Sequence, residues 1–263
     1  LKRMVTNMSI GIFDSGMGGV TVLNEIRKQY PNINIHFFGD TARLPYGEKS
    51  KDEIIKYSSE IVEFLLTKKV ELIVVACNTA TSLALDEIKE KYDVNIIGVI
   101  EAGVEGAINN KSKNIGLIAT TATVNSKKYT QNLNNINSSI KVIDKSCPLL
   151  VPAIENGNIK GKDIDELINK YIDNMSKEID SLILGCTHYS ILKESIKSLY
   201  FNIDIIDPSI EIVKIINDRD LIKHKEEDSK TFFYVSGNKM QFKNNLKNIF
   251  SIETDNIFEI RGE

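Results

Sequence analysis

Leu72-Ile73-Val74-Val75-Ala76-Cys77-Asn78-Thr79 decides the reading of the fold: six residues of apolar character run straight into polar ones. A run this short and rich in β-branched residues reads as a strand buried on both faces, far short of the roughly 20 residues that cross a membrane. Comparable runs stand at 10–14, 33–39 and 95–99, with helical patterns between them. The clearest apolar stripe is Ile54, Ile55, Ile61, Val62, Leu65 and Leu66. Strands alternating with helices predict parallel sheets covered by helices on both faces.

A second set follows at 115–119, 140–143, 182–185 and 203–206, with a helix carrying Ile164, Leu167, Ile168, Tyr171, Ile172 and Met175. The two sets read as copies. A shift of 105 lays Ile10-Gly11-Ile12-Phe13-Asp14-Ser15 on Ile115-Gly116-Leu117-Ile118-Ala119-Thr120, and Ile35 on Ile140. A shift of 109 lays Cys77-Asn78-Thr79 on Cys186-Thr187-His188, and Asn95 on Asp204. A repeat this long predicts two domains rather than a solenoid. The expected architecture is α/β: two pseudo-symmetric, doubly wound parallel-sheet domains with the active site in the cleft between them. The first spans 1–98 plus 207–263 and the second 99–206. The tail, with a helix near 210–216, a strand at 232–235 and a further helix, has no counterpart mid-chain and is expected to pack on the first domain. The Asn-rich segment 132–139 reads as a loop, and the charge run 223–230 as solvated surface.

The 263 residues carry 33 basic and 36 acidic side chains, so there is no basic field for nucleic acid or an anionic membrane. The opening residues lack the apolar stretch of a secretion signal. Three widely spaced cysteines make no disulfide framework and point to a reducing compartment, hence a cytoplasmic location.

Open parallel sheets bind ligands beyond the carboxyl ends of their strands. The polar residues there are Asp14-Ser15-Gly16, Asp40, Cys77-Asn78-Thr79, Thr120 to Thr123, and Cys186-Thr187-His188. A lone cysteine at a strand end is ordinarily a small core residue. Two at duplicated positions would instead bring thiols to one ligand from opposite sides. His188, two residues from a candidate thiol, is a plausible acid–base partner. Cys147, His36 and His224 lack such context and read as structural or surface residues, and whether Glu155, in Pro152-Ala153-Ile154-Glu155, reaches the cleft is left open by the sequence. The glycines after Asp14 miss the dinucleotide fingerprint, which needs Gly or Ala where Thr21 stands, and the phosphate-loop Lys is absent. A metal site of Cys77, Cys186 and His188 is a rival, weakened by the lack of any Cys-x-x-Cys pair.

Asp14-Ser15-Gly16-Met17-Gly18-Gly19, Leu44-Pro45-Tyr46-Gly47, Ala76-Cys77-Asn78-Thr79-Ala80 and Gly185-Cys186-Thr187-His188-Tyr189 together resemble the motifs of the glutamate racemases, in order and spacing. Ser190 and Ala102 depart from that pattern, which has Pro at both places. The resemblance implies a racemase that needs no cofactor and no metal, makes D-glutamate for peptidoglycan, and forms a homodimer. It implies that Cys186 takes the Cα proton of L-glutamate, assisted by His188, and that Cys77 takes that of D-glutamate, assisted by Asp14. Ser15, Tyr46, Gly47, Asn78, Thr79, Thr120, Thr123 and Thr187, with Asp14 and His188, would hold the substrate.

Inverting a stereocentre by proton transfer needs a base on one face and an acid on the other. An unperturbed thiol is about 3% ionised at pH 7, so making the base costs roughly 2 kcal/mol. Asp14 cannot help by charge, since like charges repel, and is better suited to relaying a proton or meeting the substrate ammonium. An aspartate-type racemase and a non-catalytic small-molecule-binding module remain as alternatives.

Overall fold

The structure is a computed structural model that describes residues 9–222 and 229–260. Among these residues ten strands form two sheets, every pairing parallel. In chain order they are β1 (Ser9–Asp14), β2 (Asn34–Gly39), β3 (Leu72–Val75), β4 (Asn95–Gly98), β5 (Asn114–Ala119), β6 (Lys141–Ser146), β7 (Ser181–Gly185), β8 (Asp204–Ile206), β9 (Thr231–Val235) and β10 (Ile257–Glu259). The first sheet has the order β10-β9-β2-β1-β3-β4 and the second β6-β5-β7-β8. The central strands β1, β3 and β7 are buried along their whole length, which is why they read as unbroken apolar runs.

The duplication is visible in the register. Ile10 faces Ile35 and Leu72 in the first sheet, and Ile115 faces Val142 and Ser181 in the second. The offset is therefore 105 at the first strand and 109 at the third and fourth, as the sequence indicated, but 107 at the second. The 105-residue alignment of Ile35 with Ile140 is corrected by two: Ile140 lies just before β6 in the turn after Asn137. One apolar pattern slides over another cheaply, and only the ladder fixes the pairing.

The tail strands extend the first sheet at its β2 edge. β10 escaped the sequence reading because it has only three residues, two of them exposed. Segment 132–139 is not all loop. A helix, Lys128–Ile136, covers its first half because Tyr129 and Leu133, four residues apart, are both buried in the second half's core. Residues 223–228 of the charge run, His224 among them, lie outside the described residues.

Helix Val99–Asn109 links the two sheets, and helix Pro208–Asp218 returns the chain. They pack on each other, and Arg219 pairs with Glu101 and Glu105 across them. Ala102 sits fully buried in the first of these helices. Ser190 donates to Asp207 Oδ1 at 2.7 Å, the same oxygen that caps the returning helix, so the hydroxyl ties the turn after Cys186 to that helix. His36 stacks on Phe232, and burial pushes its pKa down to about 4. Among the described residues no helix is long and apolar enough to cross a membrane.

Candidate active site

Both candidate thiols sit where a strand gives way to a helical turn. Cys77 precedes helix Asn78–Lys91, and Cys186 follows β7 and precedes the 3-10 turn Thr187–Leu192. The ladders make them equivalent, 109 residues apart, and both line one cavity of about 20 Å³. Ser15, Leu44, Tyr46, Gly47, Asn78, Thr79, Thr120, Thr187 and His188 complete most of its wall. Of the substrate-binding residues expected from sequence, Asp14 and Thr123 stand a layer behind. Thr123 supports Thr120, whose hydroxyl lies 3.0 Å from its own, and Thr79 reaches Thr120 across the two halves at 2.9 Å. Tyr129 donates to Asn78 Oδ1 at 2.7 Å, which leaves the amide NH2 of Asn78 as the group to meet a ligand.

The surroundings of the two thiols differ. Cys77 donates to Ser15 Oγ at 3.6 Å. Burial, with the Asp14 carboxylate nearby, pushes its thiol up to about 12, against the opposing pull of the Ala80 N–H and Ser15. Cys186 Sγ lies 3.8 Å from His188 Nδ1, and His188 Nε2 lies 2.7 Å from Glu155 Oε1. Burial alone would lower the imidazole, but its bonds to Cys186 and Glu155 outweigh that and raise it well above 6.5. Burial likewise disfavours the Glu155 carboxylate, yet the His188 partner holds it below its ordinary range. Cys186, His188 and Glu155 thus form a line of proton carriers that Cys77 lacks.

Asp14 is fully buried and does not hydrogen-bond Cys77. Its carboxylate accepts from Gly19 N–H at 2.9 Å, Gly16 N–H at 3.3 Å and the Thr187 hydroxyl at 3.3 Å. Burial raises its pKa, opposed by His188 and the two glycine amides. Asp14 therefore shapes the glycine turn and joins it to the second half. Cys147 lies away from the cavity, buried in the core. Among the described residues no group of three or more His, Cys, Asp or Glu is arranged to hold a metal, so the rival set of Cys77, Cys186 and His188 does not form one.

Residues 18–216 match the model of the Asp/Glu/Hydantoin racemase family. A glutamate racemase of Sulfurihydrogenibium sp. is 42% identical over 95% of this chain and 97% of its own length. The chain belongs to the Asp/Glu/hydantoin racemase family. Within the family it is similar in structure to a glutamate racemase of Francisella tularensis solved with D-glutamate, at TM-score 0.88 and 34% identity over 97% of both chains. A glutamate racemase isoform of Bacillus anthracis superposes at TM-score 0.90 and 32% identity, again over 97% of both.

The sequence assigned no role to two residues of this racemase-family site. Glu155 ends the short helix Leu150–Glu155 and also accepts from Met17 N–H at 3.5 Å. Asp40 was visible only as a polar residue beyond a strand. The close approach of the halves is set by Gly18: a Cβ there would lie 2.5 Å from both His188 Nδ1 and Thr187 Oγ1. Gly18→Ala is expected to push His188 and Thr187 away and lower kcat/KM about 10²-fold, the scale of a 1 Å misplacement. Steady-state racemisation kinetics, with melting temperature as the folding control, check this; an unchanged kcat/KM would show that the turn yields instead.

Proposed function

We propose that this racemase-family chain interconverts L- and D-glutamate without a cofactor, by moving protons between two thiols on opposite faces of Cα, and so supplies D-glutamate for peptidoglycan. The observation that carries this is the placement of Cys77 and Cys186, equivalent residues of two duplicated halves, on one cavity. With L-glutamate, Cys186 thiolate takes the Cα proton, the C–H bond breaking as S–H forms. Cys77 then gives its thiol proton to the opposite face, and D-glutamate leaves. His188, in contact with Cys186 and held charged by Glu155, exchanges protons with that thiol. The reverse reaction uses Cys77 as base.

Forming a thiolate at Cys77 from a pKa of about 12 costs roughly 7 kcal/mol at pH 7. The substrate ammonium, a cation brought beside the thiol, favours the thiolate and offsets part of this. Hydroxyls and the Asn78 amide around the substrate carboxylate stabilise the carbanion that develops. A cavity of about 20 Å³ has room for a water molecule, which needs about 10–15 Å³, but not for an amino acid. Substrate entry thus requires the halves to part and closure to expel water. Three buried, unpaired thiols are in keeping with a cytoplasmic location. The proposal includes a homodimer and the division into 1–98 plus 207–263 and 99–206, the latter supported by β9 and β10 joining the first sheet.

Circular dichroism of L- and D-glutamate in D₂O, with EDTA and no pyridoxal phosphate, tests the reading. Both signals are expected to converge on zero while deuterium appears at Cα. A signal that never changes rejects glutamate racemisation, and aspartate becomes the next substrate to try.

A further inference from the structure

The tail has no counterpart among the described residues of the second half, and its strand β9 leads into residues that bond the loop after β2. Ser236, the residue after β9, donates to Asp40 Oδ1 at 2.7 Å, and its hydroxyl accepts from Ala42 N–H at 3.0 Å. Gly237 N–H donates to Thr41 Oγ1 at 3.0 Å, and a Cβ on Gly237 would lie only 2.7 Å from that oxygen. Tail and loop therefore meet more closely than a side chain would allow.

Asp40 is fully buried, and its second oxygen accepts from the Tyr46 hydroxyl at 2.5 Å. The Arg43 guanidinium lies 3.6 Å from the same oxygen, 2.8 Å from Glu60, and over the ring of Tyr57. Tyr46 is itself buried and walls the cavity beside Cys77.

The duplicated half shows what is particular here. Asp40 N–H donates to Asp14 O at 2.9 Å, and Cys147 N–H donates to Ala119 O at the same distance, so the two positions correspond. In the second half Tyr189 donates to the Cys147 carbonyl at 2.9 Å, and no carboxylate is involved. The half extended by the tail is the one that carries the buried carboxylate.

We propose that Asp40, seated on Ser236 of the tail, is a positioning residue that holds Tyr46 and the turn Tyr46–Glu48 against the cavity, so that substrate meets a preset wall. This rests on the racemase reading above. Each Asp40 oxygen accepts a hydroxyl proton, which an asparagine could do at only one of its two positions. Burial and the Asp40 charge raise the Tyr46 phenol, so it stays a donor and takes no part in proton transfer at Cα. A hydroxyl-to-carboxylate bond is among the stronger hydrogen bonds, and its loss frees the turn without touching the thiols.

Kinetics of Asp40→Asn, Tyr46→Phe and the double variant with both enantiomers, together with hydrogen–deuterium exchange over residues 41–48, test this. Each single variant is expected to raise KM about 10-fold with kcat within about 3-fold of the parent, the signature of lost ground-state positioning. The double variant should be no worse than either single one, because the two act through one bond. Exchange should quicken at 41–48 and stay unchanged at 114–119. A fall in kcat at constant KM, additive losses, or unaltered kinetics would each overturn the proposal. Ser236→Ala, a milder change, stands in if Asp40→Asn does not fold. If the parent does not racemise glutamate, the racemase reading falls, and exchange at 41–48 then decides by itself whether Asp40 holds the turn.

Discussion

Alanine at Cys77 or at Cys186 is expected to stop the interconversion of L- and D-glutamate, lowering kcat/KM by about 10²–10⁴-fold, the range supplied by a positioned acid or base. Either thiol serves as base in one direction and acid in the other, so neither loss spares a direction. Enantiomers have equal free energy, so kcat/KM must remain equal for both in every variant, although kcat and KM separately need not. Cys147→Ala is the control, with kcat/KM expected within about 3-fold of the parent. Burial pushes Cys147 up to about 12, as it does Cys77, so a raised pKa does not distinguish the two. Position does: Cys77 lines the cavity and Cys147 does not. Circular dichroism of the three variants, with melting temperature to verify folding, checks this. Racemisation that survives removal of either cavity thiol would end the two-thiol mechanism.

Glu155→Gln is expected to have the next largest effect, lowering kcat/KM about 10²-fold at mildly alkaline pH. In the parent, burial works against the His188 cation, and the contacts with Cys186 and Glu155 override it. Gln leaves the burial and removes the charged partner, so His188 gives up its proton at lower pH. The alkaline limb of the kcat/KM profile should move down in pH, with the smallest loss at the acid end. Stability should follow the same logic. Glu155, held below 4.5, contributes above that pH and loses its contribution as pH falls through its folded value. His188, held above 6.5, contributes below that pH and loses its contribution as pH rises through its folded value. The parent's advantage in melting temperature over Glu155→Gln should thus be greatest between about pH 4.5 and 6.5. A pH–activity limb that does not move would show that Glu155 does not govern the His188 charge.

Much of this was legible in the amino-acid chain. Strands buried on both faces announce themselves by unbroken β-branched runs, and the polar residues that end them mark the ligand side of the sheet. Cys77 and Cys186 were found in this way, and so were Ser15, Asn78, Thr79, Thr120 and Thr187, whereas Tyr46 came only from the resemblance; all now line one cavity. Strand β10 and the helix Lys128–Ile136 were not. The first is too short and exposed for a pattern, and the second hides two buried residues among asparagines.

What the sequence determined by itself is therefore what depends on near neighbours: the α/β class, the repeat, and the two thiols at matching strand ends. The tertiary structure decided how the halves meet. His188 finds Glu155 33 residues away, Thr187 reaches Asp14 across 173, and Ser236 reaches Asp40 across 196. It also set the offset of the second strand at 107 and bonded Asp14 to the glycine turn and to Thr187. Hydrophobic periodicity records which face of an element is buried, but not which partner it meets. Hydrogen bonds between buried polar groups form only when closure removes the water that would otherwise satisfy them.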